Sequence, residues 1–167
     1  MEMRAQITVH VPADQAWTLV GERFGQIATW ASPITASVLD GSPGEGAVRT
    51  CHVRGFGPVP PGIIRERLLS YDPETRSLSY EADGLPWFVT RAVSRWSVHP
   101  VDGGTCTVGV HATLTLNLLL RPFGPAMRRR MMIDSAAVLD DLAHRLQTGS
   151  PHPRKIAGAG NSAPTVL

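Results

Sequence analysis

Two oppositely charged side chains fall where an apolar one would be expected. In the segment VRTCHV, 48–53, Cys51 and Val53 share one parity of an alternating strand and Arg49 is in phase with them, while Thr50 and His52 take the other face. In IIRERLL, 63–69, Arg65 and Arg67 lie on one face and Ile64, Glu66 and Leu68 on the other, so Glu66 is the one carboxylate on the apolar side. A carboxylate held there loses hydration unless a partner compensates, and in a dry site it can act as a general acid or base. An inward guanidinium offers a rigid fork of donors for a ligand carboxylate, phenolate or carbonyl, or for a developing enolate. The candidate catalytic pair is therefore Glu66, moving a proton, and Arg49, stabilising charge. The structural alternative is one buried ion pair. The two assignments are coupled, because both residues line a site or both serve the fold.

Aromatic and apolar residues supply the candidate binding wall. Trp30, Tyr80 and Trp96 would stack on a planar ligand, or else pack in the core with their polar tips satisfied. Trp87 falls on a turn, where a core needs no large aromatic, and reads as a lid or mouth contact. Cys51, Val53, Ile64, Ser94 and Val110 point inward by parity, and Met127 and Met131 belong to the apolar stripe of a helix; all are expected at a ligand. Cys51 and Cys106 have no base partner and read as small hydrophobes rather than nucleophiles. Asp134 flanks the helical stripe, either solvated or near a cavity mouth. His52, His99 and His111 fall on outward parities or in turns, with spacing that suits neither a metal nor a triad. No metal is expected.

The elements that must position these residues follow from periodicity. QITVHV, 6–11, alternates as a half-buried strand, and the next stretch has helical spacing read as two short helices, about 13–23 and 26–30. Strands follow at 34–40 and 47–53, with the turn GSPGEG between them, and GFGPVPPG, 55–62, makes a loop. Further strands are expected at 63–69, 76–82, 88–98 and 105–116, separated by YDPET, DGLP and DGG turns. Over 122–147 the pattern turns helical, with Phe123, Met127, Met131, Val138, Leu142 and Leu146 as its stripe, and Gly149 ends it. The remainder, 148–167, lacks period and reads as a disordered tail.

At 167 residues the chain is one domain long, with a folded unit expected within 1–147. A net charge of +2 is too small for the footprint of a nucleic-acid binder, so no nucleic acid partner is expected. Two cysteines make no disulfide framework, the start of the chain has no apolar signal region, and no apolar run reaches a transmembrane length. The expected setting is cytoplasmic, as monomer or homodimer. The 16 glycines and 14 prolines punctuate elements or gather in the 55–62 loop and the tail.

One strand, two short helices, about six antiparallel strands and one long amphipathic helix make an α+β arrangement. A sheet this broad curls around the helix, and incompletely filled space between them is the natural ligand cavity. In this order and at these intervals, VPADQAWTLVGERFGQIATW (11–30), GEGAVRTCHV (44–53), IRERLLSYDPETRSLSYEADGLP (64–86) and RWSVHPVDGGT (95–105) resemble the START/Bet v 1-like (SRPBCC) superfamily, in its bacterial polyketide cyclase/dehydrase and lipid-transport branch. The resemblance implies a helix-grip fold: a curved antiparallel sheet of six to seven strands wrapped around the C-terminal helix. It also implies a cavity that takes a hydrophobic or aromatic small molecule, with Glu66 and Tyr80 at cavity positions and with 57–62 and 83–86 as gate and latch loops. The implied function is cofactor-independent cyclisation or dehydration of a polyketide-like substrate; the alternative is a non-catalytic lipid or small-molecule carrier or sensor.

Overall fold

From β2 to β7 the turn chemistry makes neighbours in sequence neighbours in the sheet. The computed structural model describes residues 1–55 and 59–160. Its strands are β1 (Glu2–Val9), β2 (Ile34–Leu39), β3 (Val48–Val53), β4 (Gly62–Asp72), β5 (Ser77–Asp83), β6 (Val89–Asp102) and β7 (Thr105–Leu116). They form one antiparallel sheet of seven strands in the order β1-β7-β6-β5-β4-β3-β2. Side-chain caps shape the turns. Asp72 Oδ1 accepts from the Glu74 and Thr75 amides at 2.9 and 3.1 Å, and Asp102 Oδ1 accepts from the Gly104 amide at 2.8 Å.

Between β1 and β2 the chain forms α1 (Ala13–Trp17), which widens into a π-helical turn over Thr18–Glu22 and is followed by a 3-10 helix over Phe24–Thr29. The wide turn fits Gly21, whose Cα lies so close to the Trp17 ring that a Cβ would sit 2.4 Å from it. After β7, a 3-10 turn over Leu118–Phe123 leads to α2 (Gly124–Thr148), which ends at Gly149 in the left-handed conformation, φ 72°.

Three expectations need revision. The apolar stripe does not begin at Phe123, which lies in the 3-10 turn and is 60% exposed; the buried face of α2 runs through Met131, Ser135, Leu139, Leu142 and Leu146. The strand expected at 6–11 begins at Glu2, because β7 is long enough to pair with it from Thr113 onward. The stretch 148–167, expected to be without structure, holds α3 over Pro153–Gly160. Its anchors are polar. Arg154 Nε donates to Asp141 at 2.6 Å and a second guanidinium nitrogen to Asp140, while the Lys155 ammonium donates to the Ile34 carbonyl. Hydrophobic periodicity gives no sign of such contacts. Residues 161–167, and 56–58 of the proline-rich loop, lie outside the described residues.

The main core packs Val9, Trp17, Phe24, Trp30, Leu68, Leu78 and Val108 against Leu139, Leu142 and Leu146 of α2. A second, smaller cluster of Met3, Val89, Ala112, Leu114 and Met131 closes the other end. Among the described residues no helix is long and apolar enough to cross a membrane.

Candidate functional site

Between the two clusters the sheet and the helix part. The cause lies in side-chain size: Ala82 faces Ala92 across β5 and β6, and Ser94 faces Ala112 across β6 and β7, so two adjacent cross-strand pairs are small. Over them α2 presents Met131, Ser135 and Val138 rather than large aromatics. An apolar cavity of about 150 Å³ remains. One step along the same strands, Leu78 opposes Trp96 and Trp96 opposes Val110, and the larger side chains of Trp96 and Val110 form part of the cavity wall.

Polar atoms on the cavity wall are few. Glu66, Tyr80, Ser94, Trp96 and Ser135 supply them, and Glu66 is the one carboxylate among the described residues lining it. Glu66 is opposite Arg49 in the β3–β4 ladder, which is why the two inward charges meet. Arg49 Nε and Nη2 approach Glu66 Oε2 at 2.7 and 2.5 Å, and the Cys51 thiol donates to the same oxygen at 3.4 Å. Arg49 Nη1 donates to the Phe24 carbonyl at 2.5 Å, and the guanidinium carbon stands 3.6 Å above the Phe24 ring. The guanidinium is thus held on every side.

The electrostatics follow from this enclosure. Burial pulls the Arg49 guanidinium down, but Glu66, with Cys51 and Tyr80, more than offsets it and holds the group above its ordinary value. Burial, and then the Glu66 charge, push the Cys51 thiol up to about 12. Burial pushes the Tyr80 phenol up as well, helped by Glu66 and opposed by Arg49 and by hydrogen bonds with Trp96 and Ser94. Both acids stay protonated at neutral pH, so Cys51 is no nucleophile and Tyr80 is a hydrogen-bonding group at the wall.

The structure brings Val53, Ile64, Glu66, Tyr80, Ser94, Trp96, Val110 and Met131 together around one cavity. The other candidates stand elsewhere. Arg49 and Trp30 border a separate void of about 10 Å³ toward Leu19 and Phe24, and Arg49, committed to Glu66 and Phe24, is not on the wall of the main cavity. Cys51 is fully buried behind Glu66. Trp87 is 70% exposed, packing edge-on against Phe88 at 5.9 Å, and Met127 is half-buried; neither lines the cavity. Wall residues not nominated from sequence include Met3, Ile27, Ala82, Leu85, Ala92 and Ala112. The signal for the alanines was present: small residues at successive inward positions of neighbouring strands.

A curved antiparallel sheet gripping one long C-terminal helix over an apolar cavity defines a helix-grip protein of the START/Bet v 1-like class. The sequence model described as "Polyketide cyclase / dehydrase and lipid transport" matches residues 1–147, and the chain belongs to that family. Solved structures agree on the fold. A START superfamily protein from Mycobacterium smegmatis superposes with TM-score 0.72 at 15% identity, covering 89% of this chain and 99% of that one. The Zhui aromatase/cyclase from Streptomyces sp. R1128 gives TM-score 0.69 at 17% identity, covering 91% and 99% of the two chains. Norcoclaurine synthase from Thalictrum flavum, solved with dopamine and hydroxybenzaldehyde, gives TM-score 0.67 at 15% identity, covering 91% and 89%. None of the curated proteins matches the chain in sequence.

Proposed function

We propose that the protein binds a hydrophobic or aromatic small molecule in the cavity beneath α2. The observation that carries this reading is the apolar cavity of about 150 Å³, whose small cross-strand pairs leave room while Glu66, Tyr80 and Ser94 offer a few converging polar groups. Family membership supports it, since an aromatase/cyclase and a synthase solved with two aromatic compounds share the fold. Ligand recognition would combine apolar contact along Val110, Leu114 and Met131 with one directed hydrogen bond, from a ligand hydroxyl or enol to Glu66.

Cyclisation or dehydration of a polyketide-like substrate is the second reading, and Glu66 is the observation that favours it. A carboxylate on a dry cavity wall, oriented by Arg49, is placed to accept a proton from a bound carbon acid. Arg49 would act on the reaction through Glu66, as a positioning residue.

The test is a titration with 1-naphthol and with methyl decanoate, followed by tryptophan fluorescence, because Trp96 borders the cavity. Saturable binding is expected, and Ala112→Leu, which fills the space opposite Ser94, should weaken it at least about tenfold by steric exclusion. No saturable response from either probe in the native chain would count against the cavity reading. For the catalytic reading, full turnover of an identified substrate by Glu66→Gln removes Glu66 from the chemistry.

A further inference from the structure

One end of the sheet exposes large apolar side chains on neighbouring segments. Val89 pairs with Leu116 in the β6–β7 ladder, and the Asn117 amide donates to the Phe88 carbonyl at 2.8 Å, so the residues just before β6 and just after β7 run side by side. Those residues include Trp87, 70% exposed, and Leu118 and Leu119, 69% and 74% exposed. Phe123, 60% exposed, ends the same 3-10 turn where α2 begins. A single exposed apolar residue is ordinary, whereas four on adjoining segments mark a contact surface. The core does not need them, because Met3, Val89, Leu114 and Met131 already close it at this end.

The charge beside this tip has one prevailing sign. The stretch 117–133 holds four arginines and no carboxylate. Arg128 and Arg129, in the first turns of α2, are both exposed, and Arg128 Nε donates to the Glu2 carbonyl at 3.1 Å. Glu2 in turn pairs with Thr113 near the end of β7, which sets Arg128 at the same end of the sheet as Leu118. The nearest acids each face a basic side chain. The Glu2 carboxylate lies 3.6 Å from His111 Nε2, Asp134 accepts from Arg130 Nε at 3.0 Å, and Asp83 stands opposite Arg65 in the β4–β5 ladder.

We propose that this end of the molecule docks on the surface of an anionic lipid bilayer, with Trp87, Leu118, Leu119 and Phe123 in the headgroup layer and Arg128 and Arg129 on lipid phosphates. Tryptophan and leucine beside arginines match the boundary of such a bilayer, where apolar surface is buried and guanidinium groups meet anionic headgroups. A second copy of the chain fits less well, since a two-fold contact would set Arg128 and Arg129 against their own counterparts. The docking is peripheral and goes beyond the ligand-binding reading, on which it does not depend. It places the bilayer against the end of the cavity lined by Val89, Leu114 and Met131.

The test is co-sedimentation with vesicles of phosphatidylcholine alone and of phosphatidylcholine with an equal share of phosphatidylglycerol. Tryptophan emission reports the contact, because Trp17, Trp30 and Trp96 are buried and Trp87 is the exposed one of the four. The native chain should bind the anionic vesicles at least about tenfold more tightly than the neutral ones. A blue shift should accompany binding and vanish in Trp87→Phe. Replacing both arginines, Arg128→Gln with Arg129→Gln, should weaken anionic binding about tenfold or more, as should raising the salt from about 0.1 to about 1 M. Leu118→Ser with Leu119→Ser should weaken it too and reduce the blue shift. All these side chains are exposed, and an unchanged Tm checks that each variant folds. No binding of the native chain to anionic vesicles, binding that either double variant retains in full, or a blue shift that survives in Trp87→Phe overturns the docking. A dimer in sedimentation that the leucine substitutions dissolve, without vesicle binding, assigns the face to a second copy instead.

Discussion

Arg49 and Glu66 face each other because β3 and β4 are in register there, and the pair sets the ionisation of what surrounds it. Cys51 is the clearest case. Its thiol is pushed up to about 12 in the folded chain by burial and the Glu66 charge, whereas an unfolded cysteine titrates near about 8.5. The folded chain therefore holds this proton while the unfolded chain releases it. Cys51 contributes stability that is fully present below about pH 8.5 and is lost as pH rises toward about 12. The Tyr80 phenol, raised in the same direction, extends the effect to higher pH. Urea midpoints measured at pH 7, 9 and 10 should fall with pH in the native chain and fall less steeply in Cys51→Ala; identical slopes would show that Cys51 is not the group responsible. At pH 8 the folded chain should also leave Cys51 unalkylated by iodoacetamide.

At the scale of elements, the loop between β5 and β6 turns on Gly84, where φ is +80° and an added Cβ would fall 2.7 Å from the backbone oxygen of Ile63. This loop brings Leu85 to the cavity wall. Gly84→Ala should destabilise the fold by roughly 1–3 kcal/mol, from left-handed strain plus a clash with backbone that cannot move aside. Gly44→Ala, in the turn between β2 and β3 with nothing within 4 Å, is the matched control and should shift stability by no more than about 0.5 kcal/mol. Chemical denaturation of the two variants checks the contrast. Equal effects would mean that the Gly84 conformation does not hold the loop.

The molecule as a whole trades packing for space. An apolar cavity of about 150 Å³ removes contacts that a filled core would make, and a ligand restores them. A ligand present at about 100 times its Kd stabilises the folded state by about 2.7 kcal/mol, which for a chain of this length is a rise in Tm of roughly 5–10 °C. Ala112→Leu should raise the Tm of the ligand-free protein and shrink the ligand-induced rise. A full-sized rise in that variant would place the ligand outside the cavity.

Much of this was legible in the sequence. Alternation set the inward faces of β3 to β7, so Arg49, Cys51, Glu66, Tyr80 and Trp96 were identified as inward-facing, and the Gly/Pro/Asp turns dictated the hairpins and hence the order of β2 to β7, though not the pairing of β1 with β7. Those are local properties, fixed by a two-residue period and by backbone conformations a few residues long. Parity names the face of a sheet but not the depth at which a residue sits along it. Only packing decided that Glu66 borders open space while Arg49, its partner 2.5 Å away, is turned toward Phe24, and that the cavity opens over the alanines and not beside Trp30. The same holds for α3, whose place depends on Asp141, Asp140 and the Ile34 carbonyl. Such contacts join residues far apart in the chain, and no period within a segment encodes them.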